Sequence, residues 1–227
     1  MPAVDSNRHS KQTLKRCGET QTVGDIVLIL IGEGQIPLWL KVSFTLFVLV
    51  LLPVYWRQYG PGNFLWFSDI ALLLTIPALW LESSLLASMI LISIGLLELL
   101  WIVDFFVRLI VGASVTGLSA YMFDSKILLS VRALSLFHIV LPVIVVWIVS
   151  RLGYDGRALV AQTALAWIVL PLSYLLTKRS ENVNWVYGFG GRPQRWMSAR
   201  LYLVLVMLLF PLVIYLPTHL ILSAVFD

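Results

Sequence analysis

Residues 85–122 read LLASMILISIGLLELLWIVDFFVRLIVGASVTGLSAYM, and how often this stretch crosses a membrane decides the fold. An apolar run of about 20 residues spans the hydrocarbon of a bilayer. A stretch almost twice as long holds either one helix followed by a surface segment or two helices. Glu98, Asp104 and Arg108 interrupt it. A charge at hydrocarbon depth costs roughly 2.5–3.5 kcal/mol unless it is paired or wetted, so such residues mark either helix contacts or a working site.

Working outward, apolar runs at 36–56 and 64–81 precede this stretch, and runs at 128–149, 158–177 and 201–222 follow it. Tyr55, Trp56 and Tyr59 sit where an aromatic belt belongs, and Gly60, Pro61 and Gly62 mark the turn after them. Lysine and arginine in loops favour the cytoplasmic side. One crossing in 85–122 divides the basic residues almost evenly between the two sides. Two crossings put Arg8, Lys11, Lys15, Arg16, Lys126, Lys178, Arg179, Arg192, Arg195 and Arg200 inside, against Arg57, Arg151 and Arg157 outside. The sequence therefore predicts an all-α polytopic transmembrane bundle of seven spans with a cytoplasmic amino terminus, six spans being the alternative. The turn between spans three and four then falls near Trp101 to Asp104, where no Gly or Pro punctuates the chain. Residues 1–35 form a polar cytoplasmic tail with a short interfacial segment at 23–31, and residues 36–222 form one transmembrane helical domain.

The composition agrees. Hydrophobic residues make up 59% of the chain and charged residues 12%, about half the charge of an ordinary soluble domain. The net charge of +4 follows membrane topology rather than nucleic-acid binding. Cys17 is the single cysteine, so no intrachain disulfide forms. The polar first 25 residues do not read as a signal peptide. No internal repeat is visible, which counts against carriers built from inverted repeats.

The ionisable residues inside apolar runs are the candidates for chemistry. Asp104 and Arg108 are spaced i, i+4 and are expected to neutralise each other on one helix face. Asp69 and Glu98 have no local partner. If they meet across helices they share a proton or hold a cation, since two close carboxylates do not both ionise cheaply. His138 lies near mid-membrane four residues before Pro142, which removes the hydrogen bond to the His138 carbonyl. Histidine titrates near neutral pH and serves as a general base, and Ser135 lies one turn earlier on the same face. The bland alternatives are helix-locking pairs, a snorkelling Glu98 and a histidine satisfied by backbone. Arg132 suits an anionic headgroup or a carboxylate such as Glu82, and His219 completes the set in the last run. Their spacings resemble no tight metal-ligand motif, so no metal or cofactor is expected. The last span lacks a lysine, which excludes a retinal Schiff base of the rhodopsin type.

The loop ENVNWVYGFGGRPQRWM, 181–197, combines flexible glycines, the neutral hydrogen-bonding Asn182, Asn184 and Gln194, and four aromatic rings. It suits a substrate gate, a re-entrant cap or an aromatic interfacial loop; no Gly-Lys-Ser/Thr makes it a phosphate loop. Pro193-Gln194 without a second copy is too little for a PQ-loop transporter.

With YMFD at Tyr121, RALSLFH at Arg132, RLGYD at Arg151, ENVNWVYG at Glu181 and PTH at Pro217, the chain resembles, over most of its spans, an uncharacterised group of bacterial membrane-associated proteins. That resemblance implies a bacterial cytoplasmic membrane and no particular activity. More distantly, the chain is similar to the seven-helix lipid acyltransferases and the androgen-induced lipid hydrolases, which set an essential histidine inside a helix opposite a nucleophile. His138 takes that histidine's place. The nucleophile is not marked out among Ser68, Thr75 and others, and Cys17, outside the membrane, is a poor substitute.

Three functions are consistent with these residues. The first is an intramembrane enzyme acting on a lipid-like substrate, with His138, Asp69 and Glu98 as its catalytic group and Arg132, Asp104, Arg108, Asn182, Asn184 and His219 about the substrate. The second is a proton- or cation-coupled carrier of a small molecule, and the third a scaffold without chemistry. The expected partners are the lipid bilayer and a lipid or small-molecule substrate.

Overall fold

The computed structural model describes residues 34–190 and 193–226. Residues 1–33 of the tail, with the interfacial segment at 23–31 and Cys17, and Arg192 lie outside the described residues. Every regular element among the described residues is helical. Helix α1 is Leu38–Tyr59, α2 Phe67–Trp80 and α3 Ser84–Val111. Helix α4 runs Leu129–Leu152 with a kink at 135–136, α5 is Ala158–Leu176, and α6 is Ala199–Phe226. All but the 14-residue α2 are long and apolar enough to cross a membrane. Short 3-10 turns at Pro61–Leu65, Ala120–Phe123 and Val183–Trp185 fill the connections on one side of the bundle.

The stretch 85–122 forms one helix and a surface loop. Helix α3 continues unbroken through Trp101 and Asp104 for 28 residues, about 42 Å at 1.5 Å per residue, so the turn expected near 101–104 is absent. None of Trp101, Ile102, Val103 and Asp104 is a helix breaker such as Gly or Pro. The break comes at Gly112, whose φ of +77° gives the left-handed cap on which helices commonly end. The described helices thus follow the six-helix alternative in this region, where even loop charge had argued for an extra crossing.

Helix α3 is the axis of the bundle. Half of its most apolar window is buried, against about a third or less in the other long helices, and it packs on α2, α4, α5 and α6. Lipid solvates apolar side chains as well as a protein interior does, so close packing and hydrogen bonds rather than water exclusion hold such helices together. Small residues serve this: Ala87, Ser88, Ala158 and Ala166 are all fully buried. Gln162 of α5 donates to Ser93 of α3 at 3.0 Å, and Ser88 of α3 accepts the backbone N–H of Asp155 at 2.9 Å. The outer surface carries the exposed Leu46, Leu49, Val50, Ile110, Leu175 and Leu176.

Helix α6 contains a π-helical turn at Phe210–Tyr215, where Pro211 supplies no N–H to the ladder. It turns Phe210 and Tyr215 inward, and both are buried.

Candidate active site

Asp69, Glu98 and His138 come from three different helices and line one cavity of about 340 Å³. The cavity lies at the end of the bundle that carries the 60–66, 112–128 and 177–198 connections. Tyr55, Tyr59, Trp66, Trp101, Tyr121 and Trp185 make much of its wall.

Glu98 is 3% exposed and holds the His138 ring: its two oxygens lie 2.8 and 3.0 Å from Nδ1. The Trp101 ring, one turn along from Glu98, stacks on the imidazole at 4.7 Å and 22°, and Phe137 stacks at 4.1 Å. The plane of the ring and the identity of the nitrogen facing the carboxylate are thereby fixed. Carboxylate contact at Nδ1 leaves Nε2 as the nitrogen available to anything inside the cavity. Ser135 does not meet His138 as nucleophile to base. The Tyr55 hydroxyl donates to Ser135 Oγ at 2.6 Å, and Ser135 in turn donates to the Val131 carbonyl at 3.1 Å.

Asp69 stands in the first turn of α2, where the helix dipole favours a carboxylate. It is 4% exposed. Asn63 donates to its Oδ2 at 3.2 Å, while Oδ1 has no hydrogen-bond partner among the described residues. The buried hydroxyl of Tyr59 and the indole N–H of Trp101 are likewise unpartnered. A buried polar atom without a partner costs roughly 1–3 kcal/mol. All three residues line the cavity.

Asn184 builds this end of α2. No side chain of its own segment caps the helix. Asn184, more than 100 residues away, instead accepts the Phe67 N–H at 3.1 Å and donates to the Leu65 carbonyl at 2.7 Å and Ser173 Oγ at 3.1 Å. Asn182, Asn184 and Trp185 all have positive φ, a conformation most residues avoid and one that concentrates at working sites. Asn182 stays within its own loop, donating to the Gly188 and Gly190 carbonyls and accepting from the Tyr187 N–H.

The remaining sequence candidates stand elsewhere. Asp104 and Arg108 do not face each other as expected. Asp104 turns to the loop after α3, where it accepts the N–H groups of Val115, Thr116, Gly117 and Ser119 and the hydroxyls of Ser114 and Ser119 at 2.6–3.2 Å. Arg108 lies over the Phe123 ring at 5.2 Å. A carboxylate two turns from a helix end finds converging backbone donors closer than a cation four residues on. Arg132 does not pair with Glu82. It donates to the Met122 carbonyl at 3.1 Å, while Glu82 at the opposite end holds Lys41 at 2.8 Å. His219 meets the Tyr154 hydroxyl at 2.6 Å. None of Asp104, Arg108, Arg132, Asn182 and His219 lines the cavity. Of the nucleophile candidates named above, Ser68 lines it, and Thr75 is spent on the Ala71 carbonyl. Among the described residues no three acidic or histidine side chains gather closely enough to hold a metal ion.

Tyr55, Tyr59 and Trp101 were legible in part: Tyr55 and Tyr59 are one turn apart, and Trp101 is one turn from Glu98. Tyr121 and Asn63, on connections, carried no such signal. No family model matches the chain, and no curated protein or solved structure matches it.

Proposed function

We propose that the chain is an intramembrane enzyme, seated in a bacterial cytoplasmic membrane, that cleaves or transfers an acyl group of a lipid-like substrate within this cavity. The observation that carries the reading is the Glu98–His138 pair, with Nδ1 committed to the carboxylate and Nε2 left for the cavity. In this arrangement Nε2 takes the proton of a water or a substrate hydroxyl, and Glu98 stabilises the imidazolium that forms. The deprotonated oxygen adds to the acyl carbon. The bond from acyl carbon to the leaving heteroatom breaks, and the proton passes from Nε2 to that heteroatom. The aromatic wall suits an apolar chain, and general-base help of this kind contributes about 10²–10⁴-fold. The distant similarity to histidine-dependent lipid acyltransferases and hydrolases belongs to the same reading.

The test is incubation of a bacterial lipid extract with the purified protein in nanodiscs, with release of fatty acid or of a newly acylated product followed by mass spectrometry. Wild type turns over, and His138→Ala and Glu98→Gln each lose at least 100-fold. Equal release from all three proteins, or none from wild type, sinks the proposal.

A carrier is the second reading, favoured by the unpartnered Asp69 oxygen. It requires proton or cation flux into liposomes that Asp69→Asn abolishes.

A further inference from the structure

The cavity is acidic and aromatic. It contains Asp69 and Glu98, and none of its lining residues is a lysine or arginine. Arg57, Lys126, Lys178 and Arg179 at the same end are exposed on the outside. Glu98 is turned to His138, so Asp69 is the carboxyl group left over. The Asp69 Oδ1 is buried without a donor, and so is the Tyr59 hydroxyl. A carboxyl oxygen without a donor calls for a hydrogen from whatever occupies the site. Rings such as those of Tyr59 and Trp66, which line the same space, present faces that attract a cation. An anionic phosphate or carboxylate headgroup would meet two carboxyl groups, with no basic side chain among the lining residues to receive it.

We infer that the cavity selects an amphiphile whose polar end is a protonated amine carrying at least one N–H, which donates to Asp69. This rests on the reading of the cavity as a substrate site and names the class of substrate. A quaternary ammonium has the charge and the attraction to the rings but no hydrogen for Oδ1, so it ranks below a primary amine.

The experiment is binding rather than turnover, so its failure is distinct from failure of the enzyme reading. Dodecylammonium, dodecyltrimethylammonium, dodecanol and dodecyl phosphate are titrated into the purified full-length protein in a neutral detergent, and saturable tryptophan quenching is read; Trp66, Trp101 and Trp185 line the site. Dodecylammonium is expected to bind at least tenfold more tightly than dodecyltrimethylammonium or dodecanol and 100-fold more tightly than the phosphate. Asp69→Asn is expected to remove the preference over dodecanol, and Tyr59→Phe to weaken it severalfold. Phosphate binding equal to or better than ammonium, no saturable ammonium binding, or an unchanged preference in a folded Asp69→Asn overturns the inference. Should Asp69→Asn fail to fold, the wild-type ranking of the four probes decides alone.

Discussion

The two ends of the bundle treat charge in opposite ways. At the end holding the 81–83 and 153–157 turns, charges close on neighbours. Glu82 takes Lys41 and the N–H groups of Gln35 and Ile36, and Gly34 packs against it so closely that a Cβ would strike the carboxylate. Asp155 holds Arg157 at 2.7 Å, and His219 meets Tyr154. At the other end, Asp69, Tyr59 and Trp101 line a cavity and keep buried polar atoms without partners, and the Glu98–His138 pair engages only the Nδ1 side of the ring. Paired charge stitches helices together. Open polar atoms at comparable burial have no such use, and that contrast separates a site from a seam.

The largest test of the contrast lies at the cavity end, in the strap that covers it. Asp104→Ala strips the 114–119 segment of the acceptor for four N–H groups. Hydrogen bonds to a charged group contribute about 1.5–3 kcal/mol net, and contributions within one network do not add. We expect a net loss of about 3 kcal/mol and rapid hydrogen exchange at 114–119; native-like exchange there would show that Asp104 is no anchor. Asn184→Ala is next. It removes the cap of α2 and should cost about 1–2 kcal/mol, and because α2 carries Asp69 it should also weaken ligand binding. A stability loss with binding intact would separate the cap from the site.

The smallest effect belongs to the opposite end. The Lys41 ammonium holds the Glu82 carboxyl below its usual range, with the Gln35 and Ile36 N–H groups adding to it. A depressed folded-state value means stability that is present above the ordinary glutamate pKa, about 4.3, and is lost as pH falls through the lower folded value. Glu82 is partly solvated, so Glu82→Gln should cost under about 1 kcal/mol at neutral pH and flatten the acid limb of a thermal-melt profile. A flat wild-type limb, or a mutant limb as steep as wild type, would show that this pair carries no pH dependence.

Much of the helical layout was legible, since apolar length alone places α1, α4, α5 and α6 within a few residues. The extra crossing in 85–122 came from the loop charge count, a statistical preference about sidedness that says nothing of where a helix breaks; Gly112, in plain view, was the physical signal. Asp69, Glu98 and His138 stood out because lipid makes isolated charge expensive. Their juxtaposition was not legible, because it depends on which faces of α2, α3 and α4 turn toward one another. Asp104 misled for the same reason that it is interesting: its i, i+4 partner was visible in the sequence, whereas the loop that captures it forms only when 112–119 folds back.

That strap has a mechanical side. Leu118 and Tyr121 form part of the chamber's roof, and the roof is bolted through Asp104 to the same rigid rod that carries Glu98. Raising it would tug on the residue that orients the histidine. Elsewhere in the wall, Phe210 and Trp185 lie 6.5 Å apart beside the π-helical turn.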